Sequence, residues 1–211
     1  MSSHHIVRDE QEPTLLLWQA GQLSFEQAGQ LLEWSPRVVV HQPALNEALA
    51  WGIKLDAICT PPDAITAAVA AVEHQQPVDV LSLPGDDALQ AVLQWLRDKQ
   101  QASLYLIADA AADYFLLLRQ LEPLQQLAQI QVISQGWRYS YFKSGVLQKW
   151  LPRDSSLRLI SFGEQPLLSG AQFTVVIQNP ILQELVLEQS GMVQLKCATP
   201  VATAFWIGEE L

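Results

Sequence analysis

VVVHQPALNEALAWGIKLDAICTPPDAI, residues Val38 to Ile65, holds two apolar runs, Val38 to Val40 and Leu55 to Cys59. Between them lies a helical segment, Leu45 to Trp51, that stops at Gly52. A glycine just past the last periodic residue is an ordinary helix end, because only glycine enters the left-handed region without a steric penalty. The stretch therefore reads strand, loop, short helix, strand, loop. In an open α/β sheet, ligands bind in the loops that follow the strands. Two such loops, Gln42-Pro43-Ala44 and Thr60-Pro61-Pro62-Asp63, are expected side by side on one edge.

Working outward, the same alternation continues in both directions. Thr14 to Trp18 is a strand. Ser24 opens a helix with Gln27 at the capping-box position, and Phe25, Ala28, Leu31 and Leu32 keep helical spacing. Asp63 caps a helix predicted over Ala64 to Glu73. Strands follow at Val78 to Leu83, Leu104 to Ala108 and Ile130 to Ser134. Between them lie helices carrying Leu89, Val92, Leu93 and Leu96, and then Phe115 to Leu118 with Leu121. Asp109 or Asp113 starts the second of these. The pattern predicts an α/β fold, a mostly parallel sheet with helices on both faces.

After Trp137 the composition changes. Helical periodicity is gone from Ser156 onward, and short strand candidates appear at Leu157 to Phe162, Phe173 to Ile177, Leu185 to Leu187, Met192 to Cys197 and Ala202 to Ile207. A small antiparallel β-sandwich domain is expected there. The division is a flexible start over 1–13, an α/β domain over 14–145 and a sandwich over 155–211.

A length of 211 residues, 49% hydrophobic and 16% charged, belongs to a globular chain with a sizeable core. The net charge of −10, with twelve scattered basic residues, argues against nucleic acid. No apolar run approaches a membrane span. The polar start MSSHHIVRDEQEP has no signal-peptide pattern. Cys59 and Cys197 sit in apolar, strand-like runs and read as reduced core residues of a cytoplasmic protein.

Chemistry is sparse. No glycine-rich phosphate loop is present. His41 ends a strand, His74 ends a helix, and His4 and His5 lie at the terminus; each has a structural explanation. What gathers at the strand ends is acidic: Asp63, Asp86, Asp87, Asp109 and Asp113. Carboxylates there suit Mg²⁺ and a nucleotide triphosphate, while an aspartate opening a helix is also a routine cap.

At this point the chain resembles the thiamine pyrophosphokinase family. That family's stretch of the type ADGGAN, a spacer, GIKPD and then LIIGDFDSI lines up without gaps on His41 to Ile65. Asn46, Gly52, Ile53, Lys54, Asp56, Ile58, Asp63 and Ile65 agree. The family's DKDxTD motif falls on Pro84 to Val92, keeping Asp87 and Ala91, and its GxRxDH motif falls on Asp109 to Tyr114, keeping Asp113. The resemblance implies an α/β domain followed by a thiamine-binding β domain, a homodimer, and pyrophosphoryl transfer from ATP to thiamine with Mg²⁺. It implies that Asp63, Asp87 and Asp113 are catalytic, with Asp63 and Asp87 on the metal. Gln42, Asn46, Asp86 and Asp109 would contact nucleotide or phosphate, and Trp206 would stack on thiamine.

The departures fall on the catalytic residues. The family's Asp-Gly-Gly is Gln42-Pro43-Ala44, and its GDFDS loop is Thr60-Pro61-Pro62-Asp63-Ala64. The first acid of DKDxTD is gone and its Thr is Asp86; Arg and His of the last motif are Ala111 and Tyr114. Two readings stay open: a transferase of altered or residual activity, and a catalytically inactive relative that binds a small molecule or a protein partner.

Overall fold

The computed structural model describes residues 13–21, 24–33, 36–83, 88–101, 103–109, 113–124, 129–143, 146–196 and 204–211. The chain forms two compact units, Met1–Gln135 and Gly136–Leu211.

The first unit carries β1 (Thr14–Gln19), α1 (Phe25–Leu32), β2 (Arg37–His41), α2 (Leu45–Ala50), β3 (Ala57–Thr60), α3 (Ile65–Ala71), β4 (Asp79–Ser82), α4 (Ala88–Asp98), β5 (Ser103–Ala108), α5 (Tyr114–Leu121) and β6 (Gln129–Ser134). Its strands run in the order β6-β5-β1-β2-β3-β4, and all five pairings are parallel. Leu15, Leu16 and Leu17 are all fully buried. A central parallel strand covered on both faces needs such a continuous apolar run, and each buried leucine contributes about 1.5–3 kcal/mol.

Alternation along the strands separates two cores. Leu15, Leu17, Val38, Val40, Ile58, Ile107 and Ile133 face Ala28 and Leu31 of α1, Leu45 and Ala48 of α2, and Ala68 of α3. Leu16, Val39, Leu104, Leu106 and Val132 point the other way and are equally buried. The chain steps from β1 through β4 in one direction, then returns past β1 to β5 and β6. Right-handed crossovers therefore place α4 and α5 on that second face. Their buried stripes, Leu89, Val92, Leu93 and Leu96 with Leu117, Leu118 and Leu121, match it.

The α1 start follows its sequence signal. The Ser24 side chain accepts from the Gln27 amide, and the Gln27 side chain accepts from the Ser24 amide, a complete capping box. The α3 start differs from expectation. Asp63 lies inside a 3-10 turn, Pro62–Ala64, and the helix begins at Ile65 with Ala64 as its cap and no side-chain bond. Pro61 and Pro62 force the chain to turn before the helix can start, so Asp63 is carried past the capping position.

The second unit holds β7 (Trp137–Phe142), β8 (Val146–Leu151), β9 (Ser156–Ile160), β10 (Leu167–Gly170), β11 (Phe173–Gln178), β12 (Leu182–Leu187), β13 (Gly191–Lys196) and β14 (Phe205–Glu210). β11-β12-β9-β14-β7 make one sheet and β10-β13-β8 another, with every pairing antiparallel. A core including Leu151, Leu157, Leu159, Leu185, Val193, Leu195, Phe205 and Ile207 fills this unit.

Two expectations need correction. Among the described strands five pairings are parallel and six are antiparallel, so the described sheets together are mixed, not mostly parallel. The units also part at Gln135/Gly136, earlier than the break expected between 145 and 155. The physical reason for both is the same: β7 pairs with β14 and β8 pairs with β13, so the aromatic run after Trp137 belongs to the antiparallel unit. No helix among the described residues is long and apolar enough to cross a membrane.

Candidate functional site at the strand ends of the first unit

The strand order reverses beside β1, whose neighbours are β5 and β2. In open α/β sheets the crevice at such a point, outside the carboxyl ends of the strands, receives ligands. The described residues at this edge are Gln19 to Gly21 after β1, His41 to Ala44 after β2, Thr60 to Ala64 after β3, and Asp109 and Asp113 after β5.

The centre of the edge is closed by a ring pair. Trp18 and His41 stack with centroids 3.8 Å apart and planes at 7°. The cause is register: Leu17 pairs with Val40 in parallel, so the next residues stand as same-face neighbours about one strand spacing apart. The His41 Nδ1–H donates to the Trp18 carbonyl at 3.3 Å, a tautomer set by the carbonyl's being only an acceptor. Burial holds the His41 pKa below the ordinary 6.5, and the bond to Trp18 opposes it more weakly. His41 is therefore neutral near pH 7 and supplies no positive charge.

The acidic residues are spread out. Asp113 caps α5, its carboxylate accepting from the Leu116 amide at 3.0 Å. The Asp109 amide donates to the Gln19 carbonyl at 2.9 Å, which ties the β5 end to the β1 end. Asp63 is exposed on its 3-10 turn, and Gln42 and Asn46 are exposed around the start of α2. β3 stands three strands from β5, which is about 14 Å at ordinary strand spacing. Asp63 and the Asp109–Asp113 pair thus flank the edge and do not converge. Asp86 and Asp87 lie outside the described residues. Among the described residues no three His, Cys, Asp or Glu side chains come together as a metal site.

A magnesium–triphosphate group asks for converging carboxylates, backbone amides and a cation. At the described strand ends Pro43, Pro61 and Pro62 lack amide donors, His41 is neutral, and no Lys or Arg is present. These residues do not fit that group. Cys59 ends in the core, and burial pushes its thiol up to about 12, so it is not a nucleophile.

Trp206 belongs to β14 in the second unit and is fully buried. Its ring packs at 4.8 Å from that of Tyr141. An indole enclosed in this way offers no open face within this chain for the stacking on thiamine expected of it. The strand pattern hid this, because Phe205, Trp206 and Ile207 are consecutive buried residues with no inside-outside alternation. The Trp18–His41 stack was missed at the sequence level, although two strands ending at equivalent positions carry the signal.

No protein-family model matches the sequence, and no curated protein matches it with significance. Solved structures do match its fold. A thiamine pyrophosphokinase from Bacillus subtilis has a TM-score of 0.65 at 16% identity, over 93% of this chain and 98% of that one. Yeast thiamin pyrophosphokinase has a TM-score of 0.65 at 10% identity, over 98% and 88%. A thiamin pyrophosphokinase family protein from Enterococcus faecalis has 0.63 at 14%, over 95% and 99%. The chain has the fold of these proteins along nearly its whole length.

Proposed function

We propose that this chain is a thiamine pyrophosphokinase-family protein, and that thiamine or a related small molecule is its ligand. The observation that carries the reading is the fold likeness over nearly the whole of both chains, set beside the gapless His41 to Ile65 stretch. In the transferase form of the reading, ATP and thiamine give AMP and thiamine diphosphate. Asp63, Asp87 and Asp113 serve Mg²⁺-ATP there, and thiamine lies between the subunits of a homodimer.

A second form of the reading is a relative that binds its ligand without transferring pyrophosphate, and its support is the chemistry of the described strand ends. Phosphoryl transfer depends on charge-stabilising positioning. The described strand ends supply three prolines, a neutral His41 and separated carboxylates. Loss of a single well-placed donor costs about 10²–10³ in rate, and several donors are missing together. The test is thiamine-dependent formation of AMP from ATP in the presence of Mg²⁺. Turnover supports the transferase form. Thiamine binding without turnover supports the binding form, and absence of thiamine binding overturns the ligand assignment in both.

A further inference from the structure

A cavity of about 610 Å³ opens in the first unit, away from the strand-end edge. It lies where β2 and β3 begin, and its lining includes Phe25 and Leu32 of α1, Arg37 and Val38 of β2, and Trp51 and Lys54 after α2. This size falls in the range of small-molecule sites.

Its chemistry is uneven in a telling way. The chain carries a net charge of −10 with twelve basic residues, yet two of those residues, Arg37 and Lys54, line this one cavity beside a single carboxylate, Asp56. That carboxylate is engaged, accepting from the Val38 amide at 2.8 Å. Among the described residues Arg37 makes no ion pair, whereas Arg158 takes Glu184 and Lys149 takes Glu209. Lys54 donates to the Gln75 carbonyl, which holds its stem beside the cavity. Arg37 is a partly buried residue with no ion pair among the described residues, and a guanidinium is suited to bidentate capture of an anionic group.

The apolar wall is aromatic. Phe25 and Trp51 stand 6.4 Å apart, tilted at 49°. That tilt keeps the rings from closing flat on one another. Phe25 is 51% exposed, so an apolar ring on the first turn of α1 is left uncovered at the mouth. The segment along the rim is tied by hydrogen bonds: the Gln75 side chain accepts from the Leu55 amide at 2.9 Å and donates to the Ile53 carbonyl at 3.2 Å.

We propose that this cavity binds a small planar aromatic anion, its ring held by Phe25 and Trp51 and its negative group by Arg37 and Lys54. The proposal is independent of what binds at the strand ends.

The probe is 1-anilinonaphthalene-8-sulfonate, a planar aromatic anion, with uncharged N-phenyl-1-naphthylamine as its counterpart. Fluorescence titrations are run on the wild type and on Arg37→Gln and Phe25→Ala. We expect saturable binding of the sulfonate, weakened about tenfold or more by Arg37→Gln, in line with one charge-assisted contact. Binding of the uncharged probe stays within about twofold in that variant, while Phe25→Ala weakens both probes. Should Arg37→Gln fail to fold, Lys54→Gln takes its place with the same expected difference between probes. Non-saturable binding, or sulfonate binding indifferent to these substitutions, overturns the proposal.

Discussion

The imidazole of His41 lies on the indole of Trp18, 3.8 Å between centroids and 7° from parallel. The pair occupies the place where the sheet's strand order turns, and it sets the chemistry available there. A neutral, stacked ring can bound a ligand through its face but cannot meet a phosphate with charge.

That arrangement makes stability depend on pH. The folded-state pKa of His41 lies below the unfolded 6.5 because burial disfavours the charged ring. The unfolded state therefore takes up a proton first as pH falls. The contribution of His41 is complete above about 6.5 and is lost as pH drops through that value towards the folded pKa. Thermal denaturation from about pH 7.5 to 5 should show a steeper loss of Tm in the wild type than in His41→Phe. Parallel curves for the two proteins would show that His41 is not the group responsible.

Asp113 separates a structural role from a chemical one. Its carboxylate caps α5, and an Ala there should cost about 1 kcal/mol in urea denaturation. Asn keeps the accepting oxygen and should keep most of that stability. If Asp113 also serves a ligand through its charge, Asp113→Asn weakens ligand binding while leaving the unfolding midpoint nearly unchanged.

Gln75 holds the segment from Ile53 to Leu55 by two side-chain hydrogen bonds. Gln75→Ala leaves the Leu55 amide and the Ile53 carbonyl without these partners, and Leu55 is fully buried. A loss of about 1–3 kcal/mol is expected, read by urea denaturation. A change under about 0.5 kcal/mol would mean that water replaces both bonds.

In the second unit, Gly208 and Tyr139 are opposite partners on β14 and β7. A methyl group on Gly208 would stand 2.7 Å from the Tyr139 ring, well inside contact distance. The ring is fixed there, because its hydroxyl accepts from Arg158 at 3.2 Å. Gly208→Ala should destabilise by about 1–3 kcal/mol, and Tyr139→Leu in the same chain should recover part of that loss.

Much of the first unit was legible because its signals are local. Ser24 with Gln27, Gly52 past α2, and the apolar runs at Thr14 and Val38 each act within a few residues. The second unit was less so. β7 and β8 are aromatic and polar strands whose identity comes from distant partners, β14 and β13. The cavity at Arg37 was invisible for a similar reason: α1, β2 and the segment after α2 each contribute one or two residues with ordinary local explanations. Asp63 was misread as a cap because proline geometry outweighs a carboxylate's preference for the N-cap.

The most direct test of the central claim is calorimetric titration of the purified protein with thiamine and with ATP, each with and without Mg²⁺. We predict that thiamine binds and that Mg²⁺ creates no ATP binding. Magnesium-dependent ATP binding accompanied by AMP formation would contradict the binding-only account, and a protein silent to thiamine would contradict the ligand assignment itself.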